Sequence, residues 1–356
     1  MRFITVTVFL VSLLLFISVY ITPEHFSYIG LLPLLIPFAL VTNAILALFL
    51  MIRRRIIFIL PVLALVIGWK FVQVSFQLNQ KKEAQNGISV LSYNTHLFNF
   101  RWSKEQGEPG SQNALQWVRD HPADIKCLQE FLQDHTTPAH NSIKHLSKDR
   151  EYEHAYHIVD GNPKKRSYGM AIFSTYPIIN EGLVFDNKRN NGAMFVDIEV
   201  QNDTIRVYNV HLESMSIRAS QLGDMEGIKQ NYRSTLGKLK NGIQTRASQV
   251  KILSDHILNS PYPVIIGGDF NDVPYSYTYF ALKSILKNAF EEAGRGFGFT
   301  YNKVLFFLRI DNIFYSPGLR AVQFKTHREV DYSDHYPISA VFELEEKATV
   351  TVEAPQ

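Results

Sequence analysis

The chain changes character near residue 76. Residues 1–76 are overwhelmingly apolar, and the remainder has the mixed composition of an ordinary water-facing protein. The apolar part holds three runs, residues 3–21, 29–52 and 56–72. Each approaches the ~20 residues that a helix needs to cross a bilayer. In lipid every backbone polar group must be satisfied internally, so these runs are expected as membrane helices. A cleaved signal peptide is the competing reading of the first run. Against it, the run exceeds a usual h-region, lacks a small-x-small site after it and is followed by two more. The spans carry no charge before Lys70, which favours an anchor over a transporter.

Orientation follows from Lys and Arg in short loops. The link between the second and third runs is Arg53-Arg54-Arg55, and residues 22–28 contain no Lys or Arg. This places the N-terminus in the cytoplasm and the rest of the chain beyond the membrane, in the periplasm of a bacterium. Lys70, Lys81 and Lys82 oppose that orientation. Residues 77–87 read as a polar linker, 88–345 as one folded domain and 346–356 as a loose tail.

Charge is uninformative here, because the net +3 averages over both parts. The single cysteine, Cys127, excludes an internal disulfide and a cysteine-based zinc cluster. Strands are expected at 88–93, 125–129, 168–174, 193–200, 204–212, 264–267, 310–315, 321–325 and 338–343. The pair 193–200 and 204–212 is expected to form a hairpin. Residues 111–121 and 243–259 have the apolar spacing of helices, the second through Ile243, Ala247, Val250, Leu253 and Ile257. This mixture predicts an α/β protein with two packed sheets and helices outside.

Chemistry concentrates at strand ends. Asn94 closes the first strand and can offer an amide oxygen to a hard cation. Glu130 follows the second. In Tyr208-Asn209-Val210-His211-Leu212-Glu213 the polar residues alternate onto one face, where His211 could donate a proton. Gly267-Gly268 let a buried strand run close to its neighbours before Asp269 and Asn271. Asp311 sits inside an apolar strand, where an unpaired carboxylate would be costly. His335, in Ser333-Asp334-His335-Tyr336-Pro337, is its natural partner. Asp334 can ligate a metal.

Ser92-Tyr93-Asn94, Cys127-Leu128-Gln129-Glu130, Asn209-Val210-His211-Leu212, Gly268-Asp269-Phe270-Asn271, Arg309-Ile310-Asp311 and Ser333-Asp334-His335-Tyr336-Pro337 stand in one order along the chain. In that order they resemble the motifs of the endonuclease/exonuclease/phosphatase superfamily. The resemblance covers about residues 88–345. It implies a four-layer α/β sandwich that hydrolyses a phosphate ester with Mg²⁺ or Mn²⁺. By matched motif, Glu130 would be the main metal ligand, helped by Asn94 and Asp334. His335, held by Asp311, would activate or position water. Asp269 and Asn271 would position nucleophile and phosphate, and His211 would stabilise the transition state or protonate the leaving oxygen. One position departs from the pattern: DNase I-like members support the equivalent of His211 with an acid, and residues 166–169 contain no carboxylate.

The expected substrate is a phosphodiester, in nucleic acid or, alternatively, in a phospholipid or phosphoinositide head group. Basic residues in 164–166 and 214–251 would attract a polyanion or an anionic surface. The apolar residues of 297–308 read either as a core hairpin or as a surface that meets lipid. No protein partner is expected. A non-catalytic scaffold is the contrasting reading, disfavoured because each matched position keeps a competent side chain.

Overall fold

The computed structural model describes all residues except 25, 81, 83–86, 101–109, 148–151, 188–190, 215–224, 304–306 and 346–356. The expected tail, part of the linker, Arg218 and the centre of the apolar run 304–308 therefore lie outside the described residues.

The N-terminal region is helical, but its expected count changes. Ser27–Ile52 and Ile56–Ser75 are long and apolar enough to cross a membrane, at 26 and 20 residues. The first run forms only the 17-residue helix Arg2–Ser18. Two candidate spans thus replace the expected three among the described residues. The chain leaves helical geometry before Pro23, which disfavours helix in the residue ahead of it. The short helix still packs against the second. Asn43 Nδ2 donates to Ser12 Oγ at 2.7 Å between them, the kind of polar contact that joins helices in lipid.

The remainder contains strands β1 (Gln77–Leu78), β2 (Ile88–Asn94), β3 (Ile125–Asp134), β4 (Glu153–Gly161), β5 (Arg166–Ser174), β6 (Ile178–Asp186) and β7 (Gly192–Val200). It continues with β8 (Asp203–His211), β9 (Val264–Asp269), β10 (Lys287–Asn288), β11 (Arg295–Gly296), β12 (Asp311–Tyr315), β13 (Leu319–Thr326) and β14 (Ile338–Leu344). Two six-stranded mixed sheets result, ordered β10-β12-β9-β8-β7-β6 and β13-β14-β2-β3-β5-β4. The expected hairpin is β7–β8, in continuous antiparallel register.

The sheets face each other across an apolar core that includes Val90, Cys127, Ile172, Val196, Val207, Ile265 and Ile313. Helix Gly110–Asp120 covers one outer face through Ala114, Leu115 and Val118. On the other, helix Met225–Leu258 buries Val250, Leu253 and Ile257, and helix Tyr277–Lys283 buries Tyr279, Phe280 and Leu282. The order helix, sheet, sheet, helix is the expected four-layer α/β sandwich. The N-terminal helices join that second outer layer: the Phe280 ring lies 5.4 Å from Tyr20 and 5.6 Å from Phe71.

Candidate active site

Strand register gathers the polar residues at one end of the sandwich. β12 runs antiparallel to β9 with Asp311 directly opposite Asp269. β8 runs parallel to β9 with His211 beside Asp269. In the facing sheet, β2 and β3 are parallel, with Asn94 beside Gln129 and Glu130 next in sequence. Glycine is needed in β9 because a Cβ on Gly268 would stand 2.0 Å from the Val210 carbonyl oxygen. Glu130 and Asn271 both hold positive φ, +46° and +51°. Glu130 does so at an irregularity in the β3–β5 register between Leu128 and Phe131. Such conformations cost about 1–3 kcal/mol and cluster at functional sites; Asn tolerates them better than most residues.

Asp269 is the hub of the cluster and is almost fully buried. Its Oδ2 accepts from Asn94 Nδ2 at 3.0 Å and lies 3.5 Å from His211 Nε2 and 3.7 Å from His335 Nε2. On its other ring nitrogen, His335 Nδ1 meets Asp311 Oδ2 at 2.9 Å. Buried Thr300 accepts both Ile310 N–H and Asp311 N–H on its hydroxyl oxygen, which fixes the start of β12. Ser333 Oγ donates to the Asn94 carbonyl at 2.8 Å and accepts His335 N–H at 3.2 Å. That one hydroxyl ties the His335 loop to the end of β2. His211 Nε2 also lies 4.0 Å from Glu130 Oε1.

The charges are unevenly balanced. Burial disfavours a charged His335, but the carboxylates of Asp311, Asp269 and Asp334 outweigh it and hold the imidazole well above its ordinary pKa. Burial and the neighbouring Asp269 push Asp311 up, against the opposing pull of His335. Burial likewise disfavours the charged Asp334, yet its hydrogen bond to His96 and the charge of His335 hold it far below the carboxylate range. His96 is raised in turn, first by that 3.1 Å contact with Asp334 and also by Glu130.

Comparison with known proteins places this geometry. Residues 91–335 match the model of the Endonuclease/Exonuclease/phosphatase family. The chain belongs to that family. Residues 1–75 match a second model, described as a domain of unknown function (DUF8431). No curated protein matches. Among solved structures, a humanized D. rerio TDP2 is 15% identical, covering 73% of this chain and all of its own, with a TM-score of 0.52. An endonuclease/exonuclease/phosphatase family protein from Bacteroides thetaiotaomicron is 18% identical over 74% of this chain and all of its own, TM-score 0.53. A mannosyl-6-phosphatase from the same species is 18% identical over 72% and all of its own, TM-score 0.51. At these identities the likeness is one of fold.

Members of the endonuclease/exonuclease/phosphatase family are phosphoester hydrolases that use divalent metals, and the donors here suit one. Asp269, Asp311 and His335 bring their polar atoms within 4.8 Å of one another at the buried base of the site. The carboxylates of Glu130 and Asp334 stay partly open, at 27% and 25% exposure. Four carboxylates around three histidines leave negative charge that a hard cation would offset, and oxygen donors are what such a cation takes.

All eight residues singled out from the sequence therefore reach one end of the fold, though Asn271 behaves differently from the rest. Its Nδ2 donates to the Leu212 carbonyl at 2.9 Å and to Asp269 Oδ2 at 3.3 Å, so both amide hydrogens are used within the chain. Three site residues were not singled out. His96 stands against Asp334, Thr300 holds β12, and Tyr301 packs edge-on against His335 at 5.5 Å. Of these only His96 carried a signal, two positions after Asn94. The departure noted for His211 persists: its buried Nδ1 has no hydrogen-bond partner among the described residues.

Proposed function

We propose that this protein is a membrane-anchored, Mg²⁺- or Mn²⁺-dependent hydrolase of phosphodiester bonds. The observation that carries the reading is Asp269 set between two imidazoles, one of them oriented by a buried carboxylate. Glu130 and Asp334, with the Asn94 amide oxygen, would hold the cation. When bound, it would withdraw charge from the phosphoryl oxygens.

The other steps belong to side chains. Asp311 fixes His335 through Nδ1–H, so Nε2–H points at the reacting space and donates to a phosphoryl oxygen or to the attacking water. Asp269 accepts the proton of that water as its oxygen bonds to phosphorus. Asn94 and Asn271 hold the Asp269 carboxylate in place. His211 donates from Nε2 to the leaving oxygen as the phosphorus–oxygen ester bond breaks. The loops that close the site come from both sheets, which explains why no single motif is sufficient.

The anchoring reading extends to sidedness. Residues 20, 24, 28 and 30 lie against the catalytic domain, whose Lys240 ammonium sits 5.0 Å from the Tyr28 ring. The Arg53-Arg54-Arg55 link joins the opposite ends of the two candidate spans. With that link in the cytoplasm, the site lies beyond the membrane.

The test uses full-length protein in detergent with bis-p-nitrophenyl phosphate. Hydrolysis is expected with Mn²⁺ or Mg²⁺ and absent in chelator. Glu130→Ala and His335→Ala should each abolish it, and calorimetric metal binding should vanish in Glu130→Ala. Metal-independent turnover, or wild-type metal binding in Glu130→Ala, would refute the assignment.

A further inference from the structure

The exposed apolar side chains of the catalytic domain include a group that is continuous with the membrane helices. Leu78 is 73% exposed and Phe297 50%. The Phe76 ring lies 4.9 Å from Phe297, and Phe297 stacks on Phe299 at 5.1 Å. Single exposed apolar residues are ordinary, whereas a contiguous group marks a surface that meets something.

What it meets follows from the adjoining span. The 20 residues of Ile56–Ser75 rise about 30 Å, the thickness of the hydrocarbon core. Ser75 therefore lies at the boundary of that core, and Phe76 is the next residue. No free chain intervenes, because Gln77 and Leu78 pair directly with Gly296 and Arg295. Exposed Tyr20, Tyr28 and Trp69 stand near the same end of the helices, as aromatic residues do at a membrane–water boundary. Exposed Arg295 pairs with Leu78 two residues before Phe297, and exposed Arg328 lies 5.7 Å from the Phe299 ring. Cations there suit anionic head groups.

The same segment forms one wall of the site. Thr300 and Tyr301 both donate from N–H to the Leu308 carbonyl, at 2.9 and 3.2 Å. Thr300 then holds Asp311, Tyr301 packs on His335, and Asn302 N–H donates to the Asp334 carbonyl at 3.0 Å.

We propose that the edge formed by Phe76, Leu78, Phe297 and Phe299 rests in the head-group layer of the bilayer, and that the site hydrolyses phosphate esters borne by membrane lipids. This rests on the reading of the protein as a membrane-anchored phosphoesterase and names its docking surface and substrate class. Water adds to the lipid phosphorus, the bond to one ester oxygen breaks, and that oxygen leaves protonated by His211. Confinement beside the bilayer raises the effective concentration of such a substrate without added contacts.

The full chain, reconstituted in phosphatidylcholine vesicles, supplies the test. Phe297→Cys is labelled with a nitrobenzoxadiazole dye, and Arg320→Cys, at the other end of the sheets, is the control. The native Cys127 thiol is buried and pushed up to about 12 by desolvation, so it stays unlabelled. Nitroxide-labelled phosphatidylcholine should quench the dye at 297 and leave the dye at 320 bright. Vesicles are then doped with phosphatidylserine, phosphatidylglycerol or phosphatidylinositol 4-phosphate. At least one should be cleaved, and Leu78→Ser/Phe297→Ser should slow that cleavage by ~10-fold or more. The same variant should turn over bis-p-nitrophenyl phosphate at the wild-type rate, which also reports that it folds. Intact diester turnover without quenching at 297, or with cleavage of none of these lipids, overturns the inference alone. Absent diester turnover in the wild type overturns the catalytic reading itself.

Discussion

His335 and Asp311 are 24 positions apart and joined by one hydrogen bond. Replacing Asp311 by Asn keeps the volume but offers an amide where the imidazole needs an anion, so the ring can settle in the wrong tautomer. Asp311→Asn is expected to lower kcat on a diester by ~10²–10⁴ with little change in KM. A fall confined to KM would remove Asp311 from its positioning role. Gly268 illustrates a different residue-scale constraint. Its neighbour across the sheet is backbone, which cannot step aside as a flexible side chain would. Gly268→Ala should destabilise the domain by about 1–3 kcal/mol or more, seen as a lower midpoint in urea unfolding. Asp311 and His335 could be paired from sequence, because a carboxylate inside an apolar strand needs a partner. Thr300 could not, since nothing in a lone threonine says that it will cap the start of β12.

At the scale of elements, helix Met225–Leu258 holds the outer layer together. The stripe Ile243, Ala247, Val250, Leu253 and Ile257 was legible in the sequence, and those five side chains are buried. Its first turns were not, because residues 225–242 lack a sustained apolar stripe and take their helical state from continuity with the packed part. Leu253→Ala should cost about 2–5 kcal/mol, measured by the same unfolding assay. β4 and β6 were missed for a related reason. Both are half-exposed edge strands, so their sequences lack the apolar runs that betray central ones. The turn joining β4 and β5 brings Arg166 onto buried Asp134, with Nη2 2.7 Å from Oδ2. Burial opposes ionisation of Asp134, yet bonds from Thr136 and Arg166 prevail and hold it below its ordinary value. A depressed folded-state pKa stabilises above the unfolded value of about 4, and that contribution disappears as pH falls through the lower, folded one. Asp134→Asn should therefore flatten the acid limb of the stability–pH curve, by an amount limited because Arg166 is 44% exposed. An unchanged acid limb would show that the pair is unimportant.

For the whole molecule, the decisive relation is between the apolar N-terminal helices and the α/β domain. The proposed sidedness predicts that Arg320→Cys reacts with an impermeant maleimide on intact cells, whereas Arg54→Cys reacts only after permeabilisation. The reverse pattern would invert the topology. By itself the sequence determined the mixed α/β class and the family, and it brought forward the eight polar residues that the fold gathers at one end, because hydropathy and strand-end chemistry are local properties of the chain. Only the tertiary structure decided that Asp269 is the centre of the cluster, that Asn271 spends its amide within the chain, and that His96, Thr300 and Tyr301 belong beside them. It also decided that the first apolar run stops short of a span and that the helices lie against the Phe280 layer. These depend on register between strands distant in sequence and on which surfaces find each other. Such relations arise from closing two sheets over one core, and no stretch of the chain encodes them alone.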